Sequence, residues 1–578
     1  MSLTILAICV MAVLTAGYLL YGSYLARQYR LDDNRVTPAT ERNDGVDFVP
    51  TRPFYLMAQH FSAIAAAGPI VGPIAACLTF GWLPCLLWIG VGVVFIGAVH
   101  DFSALVASIR HRAHSVAEIA REHLGTRAFL ALAAFIWLAL VYVIVAFTSV
   151  TADTFRGKAE ELAGLSTTFN KGGAVAAAST MYLVLALVMG VVQRLFRPPM
   201  WLVTVIFVPA TLGVVWLGTR LDSVLSFEAP TWHLAILAYC LIASMLPMWL
   251  LQQPRGYLGG FVLYLAIAIG VLGILIGGFE IRQPAIREMP APETMKLTQH
   301  MFPFLFVTIA CGACSGFHGL ICGGTTSKQV AKESHCKPVA FGSMLLEGFV
   351  AVIALGTVMI VAQDQVAGRA PAQLYGDGLA MFLSALFPES ARPSIFVFAA
   401  TFGAMAFSTF VFDTLDVSVR LGRYLLQELT GVRSRWAGFA AALVTVGAPL
   451  LVLRLSEPGS YLRYWTLFGT SNQLLAGLTL LGVSVWLVRS GRKCWYTVIP
   501  MIFIMSITVT ALVMQILEAL RQMRAAADSA SPAWWSAAMN AAVGAALIVL
   551  AAVFVIEAIR ALKRPLPREH AVALSPDG

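Results

Sequence analysis

Five ionisable side chains lie inside otherwise apolar stretches of this sequence: His60, Asp101, His318, Glu347 and Asp413. If each stretch is a helix that rises about 1.5 Å per residue, every one of the five lies roughly 9–12 Å from one end of its helix. A charge at that depth in a membrane is costly and usually belongs to a polar cavity or a proton path. We therefore predict that these residues take part in proton coupling. The alternative for each is a side chain that reaches the interface or caps a neighbour.

His60 and Asp101 are predicted to form a pair because they lie on consecutive antiparallel helices. An imidazole beside a carboxylate is able to take up protons near neutral pH. The adjacent His100 is expected on another face of the same helix. Asp416 precedes Arg420 by four residues, a spacing that favours an ion pair at the helix end over transport chemistry.

The segment Ala67–Pro73 interrupts an apolar stretch with two Gly-Pro pairs. Each proline lacks an N–H and disfavours a helical residue before it, so the helix cannot stay continuous. Inside a membrane a break is tolerated only where protein or a water-filled cavity surrounds it, and transporters use such breaks as substrate sites. A second break is predicted at Ser244–Trp249, around a proline. The predicted substrate-binding residues are Gly68, Pro69, Gly72, Pro73, Ser244, Trp249 and Ser315.

Cys311, Cys314, His318 and Cys322 follow a helical spacing that puts them on one face. Soft ligands so placed could hold zinc or copper, so an intramembrane metal-binding protein is an alternative function. On one straight helix, however, the first and last ligands are about 16 Å apart and cannot close a tetrahedron. We therefore predict no metal site. The glycines of this segment favour close helix packing and permit local unwinding at Ser315.

The chain has 578 residues, of which 59% are hydrophobic and 12% charged, with a mean hydropathy of +0.79. That is too little charge to cover the surface of a soluble protein, so the composition indicates a polytopic membrane protein. The net charge of +9 falls between the apolar stretches, which points to membrane topology and not to nucleic acid. No stretch resembles a Walker loop, a haem motif or a nucleophile elbow, so ATP-driven transport and enzymatic activity are not expected.

We predict an all-α protein with about 15 transmembrane helices, each long enough to cross the bilayer. The predicted spans are residues 3–24, 54–79, 82–108, 128–151, 173–193, 199–218, 232–251, 257–279, 301–325, 339–363, 393–419, 435–454, 464–488, 496–520 and 534–559. Lys and Arg are about twice as frequent in the loops of one side as in those of the other. This bias predicts that the N-terminus lies outside and the C-terminus in the cytoplasm.

The two predicted breaks lie five spans apart and would therefore run in opposite directions through the membrane. That arrangement predicts an inverted five-plus-five repeat core surrounded by peripheral helices. The chain then divides into a first helix with a cytoplasmic loop, a first repeat, a second repeat, and additional C-terminal helices with a short cytoplasmic tail. The corresponding residues are 1–53, 54–218, 219–423 and 424–578.

Several stretches resemble one family, the carbon starvation protein A (CstA) transporters. They are Gln59–Pro73, His100–Phe102, Leu246–Trp249, Gln253–Arg255, Phe304–Thr326, Thr414–Asp416, Arg420–Arg423 and Leu467–Gly477. The resemblance implies a LeuT-type fold of the amino acid–polyamine–organocation (APC) superfamily in the bacterial inner membrane. It also implies uptake of peptides or pyruvate under carbon starvation, coupled to protons. The sequence departs from the family pattern at His100, where Gln is expected, and at Cys314 and Cys322, where other residues are expected.

The expected function is secondary active uptake of a small carboxylate-bearing nutrient in symport with protons. The half-helix that begins at Gly68-Pro69 would attract the carboxylate through its free N–H groups. Sodium coupling through Ser315 and free carbonyl groups is an alternative, as is a nutrient sensor built on a transporter fold. The expected partners are the small-molecule substrate and membrane lipid, with no cofactor and no nucleic acid.

Overall fold

The computed structural model describes residues 2–44, 48–156, 159–161, 168–288, 295–366, 368–432, 434–455, 461–526 and 531–564. Most of these residues are helical, as expected for apolar segments whose backbone groups must find partners within the chain. A two-stranded antiparallel sheet, β1 (Ala159–Glu161) with β2 (Thr168–Asn170), lies between two of the helices. The C-terminal tail after residue 564 is outside the described residues.

The first eleven helices precede residue 220. They are α1 (Leu3–Ala16), α2 (Ser23–Gln28), α3 (Pro38–Glu41), α4 (Pro53–Ile64), α5 (Gly68–Phe80), α6 (Trp82–Gly92), α7 (Ala98–Arg110), α8 (Val116–Leu124), α9 (Thr126–Phe155), α10 (Lys171–Phe196) and α11 (Met200–Gly218). Two π-helical turns, Gly17–Gly22 and Val93–Gly97, join α1 to α2 and α6 to α7. Each of these two pairs therefore forms one long helical span.

Eleven more helices follow. They are α12 (Ala229–Met245), α13 (Gln252–Ile276), α14 (Met301–Thr308), α15 (Gly316–Gly324), α16 (Ser343–Met359), α17 (Pro371–Ser384), α18 (Arg392–Thr430), α19 (Arg435–Arg454), α20 (Tyr461–Arg489), α21 (Trp495–Ala525) and α22 (Pro532–Lys563). A π-helical turn, Lys337–Gly342, leads into α16. Short 3-10 turns lie at Leu297–Gln299, Thr326–Lys328, Glu333–His335, Gln363–Gln365 and Glu389–Ala391.

Twelve helical segments in the described part of the chain are long and apolar enough to cross a membrane, and the bent pair α4–α5 makes a thirteenth. Each of these thirteen matches a predicted span. The predicted count of 15 is not confirmed, because two spans differ in form. The predicted span 232–251 is the 17-residue helix α12, and the predicted span 301–325 is divided between the short helices α14 and α15.

The break predicted near Gly68-Pro69 is confirmed. Helices α4 and α5 are bent by 47°, and Ala65 leaves the helical region with a ψ of 70°. Helix α5 restarts at Gly68 with Pro69 in its first turn. Proline fits there because the first N–H groups of a helix have no partner within it. Pro73 lies inside α5 without ending it.

The second predicted break, at Ser244–Trp249, is wrong. Leu246 precedes a proline, adopts an extended ψ of 150°, and ends α12. The residues that follow it form the turn between α12 and α13 and do not interrupt a single span. The second broken helix is α14–α15, where residues 309–315 leave the helix between Thr308 and Gly316.

The two broken helices run in opposite directions. Immediately before α4, the N–H groups of Val49 and Thr51 donate to the carbonyl groups of Lys328 and Gln329, at 3.2 and 3.0 Å. Lys328 and Gln329 follow the end of α15, so the start of one broken helix lies beside the end of the other. Helix α5 packs against α14, and α4 packs against α15. Helices α6, α16 and α20 enclose the pair.

Candidate substrate and proton site

The N-terminus of α5 presents two backbone N–H groups that have no acceptor. Among the described residues, neither Ala67 nor Gly68 donates its N–H, and Pro69 has none to donate. Ile70 and Val71 both donate to the Ala67 carbonyl, at 3.1 and 2.9 Å. The segment is buried, and buried N–H groups without a partner are rare in folded proteins. With the positive end of the helix dipole, this turn is suited to bind an anion such as a carboxylate.

The start of α5 touches the second break directly. A Cβ added at Gly68 would overlap the side chain of Cys311, and one at Gly72 would lie 2.6 Å from the carbonyl oxygen of Thr308. Only glycine permits the backbones to approach so closely. The predicted substrate-binding residues Gly68, Pro69, Gly72 and Pro73 therefore lie on the half-helix that contacts the second unwound segment.

Tryptophans from two other helices hold the edge of the second break. Trp88 of α6 donates its indole N–H to the Ile309 carbonyl at 3.3 Å. Trp465 of α20 donates to the Thr308 carbonyl at 3.1 Å. Both carbonyls come from residues at which the α14 ladder stops, and a buried carbonyl without a partner would be costly. The two indoles thus stabilise the unwound conformation.

Asn472 of α20 anchors the other side of this break. Its Oδ1 accepts the Phe317 N–H at 2.8 Å and so caps the first turn of α15. Its Nδ2 donates to the Ser315 hydroxyl at 3.0 Å and to the Cys311 sulfur at 3.2 Å. Sequence reasoning assigned no role to Asn472. The available signal was the buried amide pair Asn472-Gln473 in a largely apolar helix, since buried amides must be hydrogen-bonded.

Asp101 lies at the centre of a buried polar chain. Its Oδ1 lies 2.8 Å from Nδ1 of His100, and its Oδ2 lies 2.8 Å from Nδ1 of His318. The other ring nitrogen of His318 lies 3.2 Å from Oε2 of Glu347. The four side chains are at most 1% exposed. Two carboxylates and two imidazoles removed from water must balance their charge with bound protons, so the cluster is able to hold and release a proton.

Three helices position the side chains of this buried polar cluster: α7, α15 and α16. Glycine at position 319 of α15 makes room for His100, whose ring lies 3.3 Å from the place a Cβ would occupy. Gly348 of α16 similarly faces Val93 of the π-helical turn before α7. A π-helical turn precedes both α7 and α16. Such turns re-aim side chains and are frequent at functional sites.

The structure corrects two expectations about the histidines. His100 does not lie on another face, because its ring is hydrogen-bonded to Asp101. The expected pair of His60 with Asp101 is replaced by a pair of His318 with Asp101, while His60 bonds the Thr326 hydroxyl at 2.8 Å. The buried Nε2 of His60 has no partner among the described residues.

A second buried ionic cluster joins α13 to α18. Nε of Arg255 donates to Oδ1 of Asp413 at 2.5 Å, and its Nη1 donates to Asp416 and to the Tyr239 hydroxyl. Tyr182 donates its hydroxyl to the Arg255 carbonyl at 2.8 Å. One fully buried guanidinium therefore faces two carboxylates.

This cluster corrects the expectations for α18. The predicted i,i+4 ion pair of Asp416 with Arg420 is wrong, because Arg420 donates to the carbonyls of Ala243 and Leu246 at 3.0 and 2.9 Å. Asp413 belongs to the arginine cluster and is not part of the polar chain around Asp101.

Ser244 and Trp249 are not brought together with Ser315. The hydroxyl of Ser244 donates to the Leu241 carbonyl of its own helix at 2.8 Å. Trp249 is 39% exposed, and its ring lies 5.5 Å from the guanidinium of Arg194. Their expected place in the substrate site depended on the break that the structure puts elsewhere.

The cysteine-rich face of the second broken helix does not form a ligand set. Cys311 accepts a hydrogen bond from an amide of α20, Cys322 donates to the Asp101 carbonyl at 3.5 Å, and His318 is engaged by the Asp101 carboxylate. Unwinding between residues 309 and 315 also removes the single helical face on which the spacing was based. Within the described ranges, the one group of three possible metal ligands with donor atoms within 4.8 Å is His111, Glu122 and His123.

Two antiparallel broken helices, enclosed by apolar spans and lined by buried ionisable side chains, define a multi-pass membrane protein built as transporters are. The chain belongs to the family described as carbon starvation protein CstA, whose family model matches residues 1–381 and 360–511.

The chain is similar to relatives with transporter names. It is 32% identical to "Peptide transporter CstA" of Campylobacter jejuni subsp. jejuni, over 88% of this chain and 79% of that protein. It is 30% identical to "Pyruvate/proton symporter BtsT" of Escherichia coli K12, over 89% of this chain and 81% of that protein. A solved structure of a mutant manganese transporter from Eremococcus coleocola covers 90% of this chain at 12% identity with a TM-score of 0.43.

Proposed function

We propose that this protein is a proton-coupled uptake transporter for a small carboxylate-bearing nutrient, a peptide or pyruvate, in the bacterial inner membrane. Relatives at 30–32% identity carry the names of a peptide transporter and of a pyruvate/proton symporter. Both solutes carry a carboxylate, which is the group that the start of α5 is suited to bind. The observation on which the proposal depends is the Asp101 chain, because it provides a buried proton site beside the second break.

The substrate carboxylate binds at the first turn of α5. The N–H groups of Ala67 and Gly68 supply two donors that have no acceptor among the described residues. Pro69 fixes the start of the helix, so the donors are pre-oriented before the solute arrives. Ser315, at the end of the facing unwound segment, offers a hydroxyl that Asn472 now holds at 3.0 Å. The Ser315 hydroxyl is therefore the group best placed to give up its hydrogen bond with Asn472 and to bind the solute instead.

The coupling proton resides on the chain formed by His100, Asp101, His318 and Glu347. His318 lies between the two carboxylates, at 2.8 Å from Asp101 and 3.2 Å from Glu347. A proton on its ring balances one of the two buried negative charges, and its loss leaves both unbalanced. Protonation therefore changes how strongly α15 is held between α7 and α16. His60, whose Nε2 has no partner among the described residues and whose Nδ1 bonds Thr326 just after α15, is proposed to extend the path toward that end of α15.

Proton and solute sites are linked because they share one half-helix. His318 is the third residue of α15, which begins at Gly316 directly after the break. At about 1.5 Å of rise per residue, the ring is attached roughly 3 Å along the helix axis from the helix start. A shift of α15 that follows protonation would therefore move Ser315 and the face that contacts Gly68. Binding of one ligand is then coupled to binding of the other.

Alternating access follows from the same elements. The residues at the two breaks are buried, so a solute gains room only if the half-helices separate. We propose that α4–α5 and α14–α15 each begin one half of an inverted repeat, and that rocking of one half against the other opens the site to each side in turn. Their opposite directions and direct contact support this proposal.

The proposal is tested by uptake into proteoliposomes that contain the purified protein. Labelled pyruvate and labelled di- and tripeptides are offered with an inward proton gradient, with an inward sodium gradient, and with none. We expect accumulation of at least one solute only with the proton gradient. If no solute accumulates, the substrate class is wrong. If the sodium gradient alone drives uptake, the assignment of the coupling ion is wrong.

A further inference from the structure

A cavity of about 410 Å³, open to solvent, lies between the loop after α2, the end of α7 and the end of α20. Its size is that of a small-molecule site. Four arginines line it: Arg35, Arg110, Arg112 and Arg492. Arg110 ends α7, and the other three lie in the loops after α2, α7 and α20, which the charge bias of the sequence puts on the cytoplasmic side.

Positive charge at this cavity exceeds the negative charge nearby. Glu333 is 1% exposed and binds Arg35 at 2.9 Å and Arg110 at 3.0 and 2.9 Å. Glu41 is the one carboxylate among the lining residues. Burial, followed by repulsion from neighbouring arginines, lowers the pKa of Arg492 below its usual value. Like charges held together in this way are stabilised by a bound anion.

Three of the four arginines are held in place by hydrogen bonds before any ligand arrives. The Tyr29 carbonyl accepts hydrogen bonds from Arg110 at 2.8 Å and from Arg492 at 2.9 Å. Arg110 is 7% exposed, and its Nη1 has no partner among the described residues. Arg112 makes no hydrogen bond or ion pair in the described part of the chain, so its guanidinium is available to a ligand. Preorganised guanidinium groups are well matched to phosphate.

The remaining wall of the cavity has a different character. Val36, Pro38, Ile109 and Trp486 supply apolar surface, and Ser490 supplies a hydroxyl. Trp486 lies near the end of a membrane-spanning helix, where aromatic rings occupy the interface between lipid and water. The cavity thus combines a charged half with an apolar half at the depth of lipid headgroups.

We propose that this arginine pocket binds a phosphate-bearing anion, either the headgroup of an anionic phospholipid or a free phosphate group. The neighbouring histidine pair does not make a cation site of this region. Nε2 of His111 and Nε2 of His123 lie 2.7 Å apart and share a hydrogen bond, and Arg110 and Arg112 flank His111 in the chain. A divalent cation there would be repelled by the same arginines that attract an anion.

The test uses the full-length protein in detergent and the variant Arg112→Gln. The matched control is Arg127→Gln, which removes the same charge from an exposed position at the start of α9, outside the lining of the cavity. Binding of phosphatidylglycerol, with zwitterionic phosphatidylcholine as the comparison of zero net charge, is measured by native mass spectrometry. Binding of inorganic phosphate is measured by calorimetry.

We expect the wild type and Arg127→Gln to bind the anion equally, and Arg112→Gln to bind it about tenfold more weakly, as the loss of a hydrogen bond between charged groups predicts. A loss confined to phosphatidylglycerol identifies a lipid headgroup, and a loss with inorganic phosphate identifies a soluble ligand. The proposal is overturned if neither anion binds, or if both variants bind the anion as the wild type does. Equal weakening in both variants would also overturn it, because that result reflects net charge alone.

Discussion

Asp101 accepts hydrogen bonds from two histidines at once, and this makes it the residue on which the proposed proton site depends. His100 is its chain neighbour, whereas His318 comes from a helix more than two hundred residues later. A carboxylate held between two imidazoles keeps its position whichever ring carries the proton. In the proposed mechanism, a proton passes between the two imidazoles by way of Asp101 without rearrangement of the backbone.

The variant His318→Gln tests whether the central ring carries the transported proton. Glutamine keeps a donor for Asp101 but takes up no proton near neutral pH. We expect gradient-driven accumulation to be lost, while exchange of labelled for unlabelled solute across the membrane continues. The control is His300→Gln, which changes a histidine outside the polar chain and should transport normally. Accumulation by His318→Gln at the wild-type level would contradict the assigned role.

The buried cluster of Arg255, Asp413 and Asp416 leads to a prediction about the stability of the protein. Arg255→Met leaves Asp413 and Asp416 buried without a counter-charge, which should cost about 3–5 kcal/mol of the free energy of unfolding. The combined variant Arg255→Met, Asp413→Asn, Asp416→Asn removes the excess charge and should recover much of that loss. Thermal unfolding in detergent measures both.

Arg197→Met, at an exposed position, is the control for that series and should leave the unfolding temperature unchanged. If the single variant Arg255→Met is as stable as the wild type, the guanidinium does not neutralise the two carboxylates, and they are protonated instead.

At the scale of elements, the two breaks have different causes. The first is determined by the local sequence, because Gly68-Pro69 prevents a continuous series of helical hydrogen bonds whatever surrounds it. The second contains no proline and depends on partners far away in the chain, above all Trp88, Trp465 and Asn472. The first break was therefore predictable from the sequence. For the second, the sequence showed only that its glycines permit local unwinding.

Contact between the breaks predicts the behaviour of Gly68→Ala. The new methyl group overlaps the Cys311 side chain, and such overpacking costs about 1–3 kcal/mol. We expect a lower unfolding temperature and a loss of uptake. The double variant Gly68→Ala, Cys311→Gly removes the overlap and should recover stability.

Gly90→Ala is the matched control for this pair, because no atom lies within 4 Å of the Cβ position at Gly90. A Gly68→Ala protein as stable as Gly90→Ala would mean that α5 does not press against the second break.

Side-chain partners show the same limit of sequence reasoning. His60, Asp101, His318 and Glu347 could be selected one by one, because burying each group in lipid or protein is costly. Which of them meet depends on how α7, α15 and α16 pack, and this information is not local. The error at Ser244–Trp249 has a related origin. Its proline correctly marks a helix end but does not tell whether that end lies inside or outside the membrane.

At the scale of the whole molecule, contacts between segments that are distant in sequence show which of them lie on the same side of the membrane. Ser2 pairs with Glu280, and the N–H of Arg287 donates to the Phe80 carbonyl at 3.1 Å. The start of α4 and the end of α15 meet on the opposite side of the molecule from these two contacts. The charge bias of the sequence predicts that the side with the start of α4 and the end of α15 faces the cytoplasm.

Site-specific labelling tests this orientation. In a background without the partly accessible cysteines (Cys9→Ser, Cys494→Ser), single cysteines are introduced by Asn34→Cys and Asp364→Cys, both at exposed positions. We expect an impermeant thiol reagent to label Asp364→Cys in intact spheroplasts and Asn34→Cys only in inverted vesicles. The reverse pattern would invert the predicted orientation, and labelling of both from one side would contradict the topology.

The central claim is that a proton enters with each solute by way of the Asp101 chain. Proteoliposomes that contain a pH-sensitive dye, supplied with labelled solute, report both fluxes in the same vesicles. We predict internal acidification in a fixed ratio to solute entry for the wild type and for the control Asp364→Asn. For Asp101→Asn we predict downhill solute entry without acidification. Acidification by Asp101→Asn in the wild-type ratio would contradict the account.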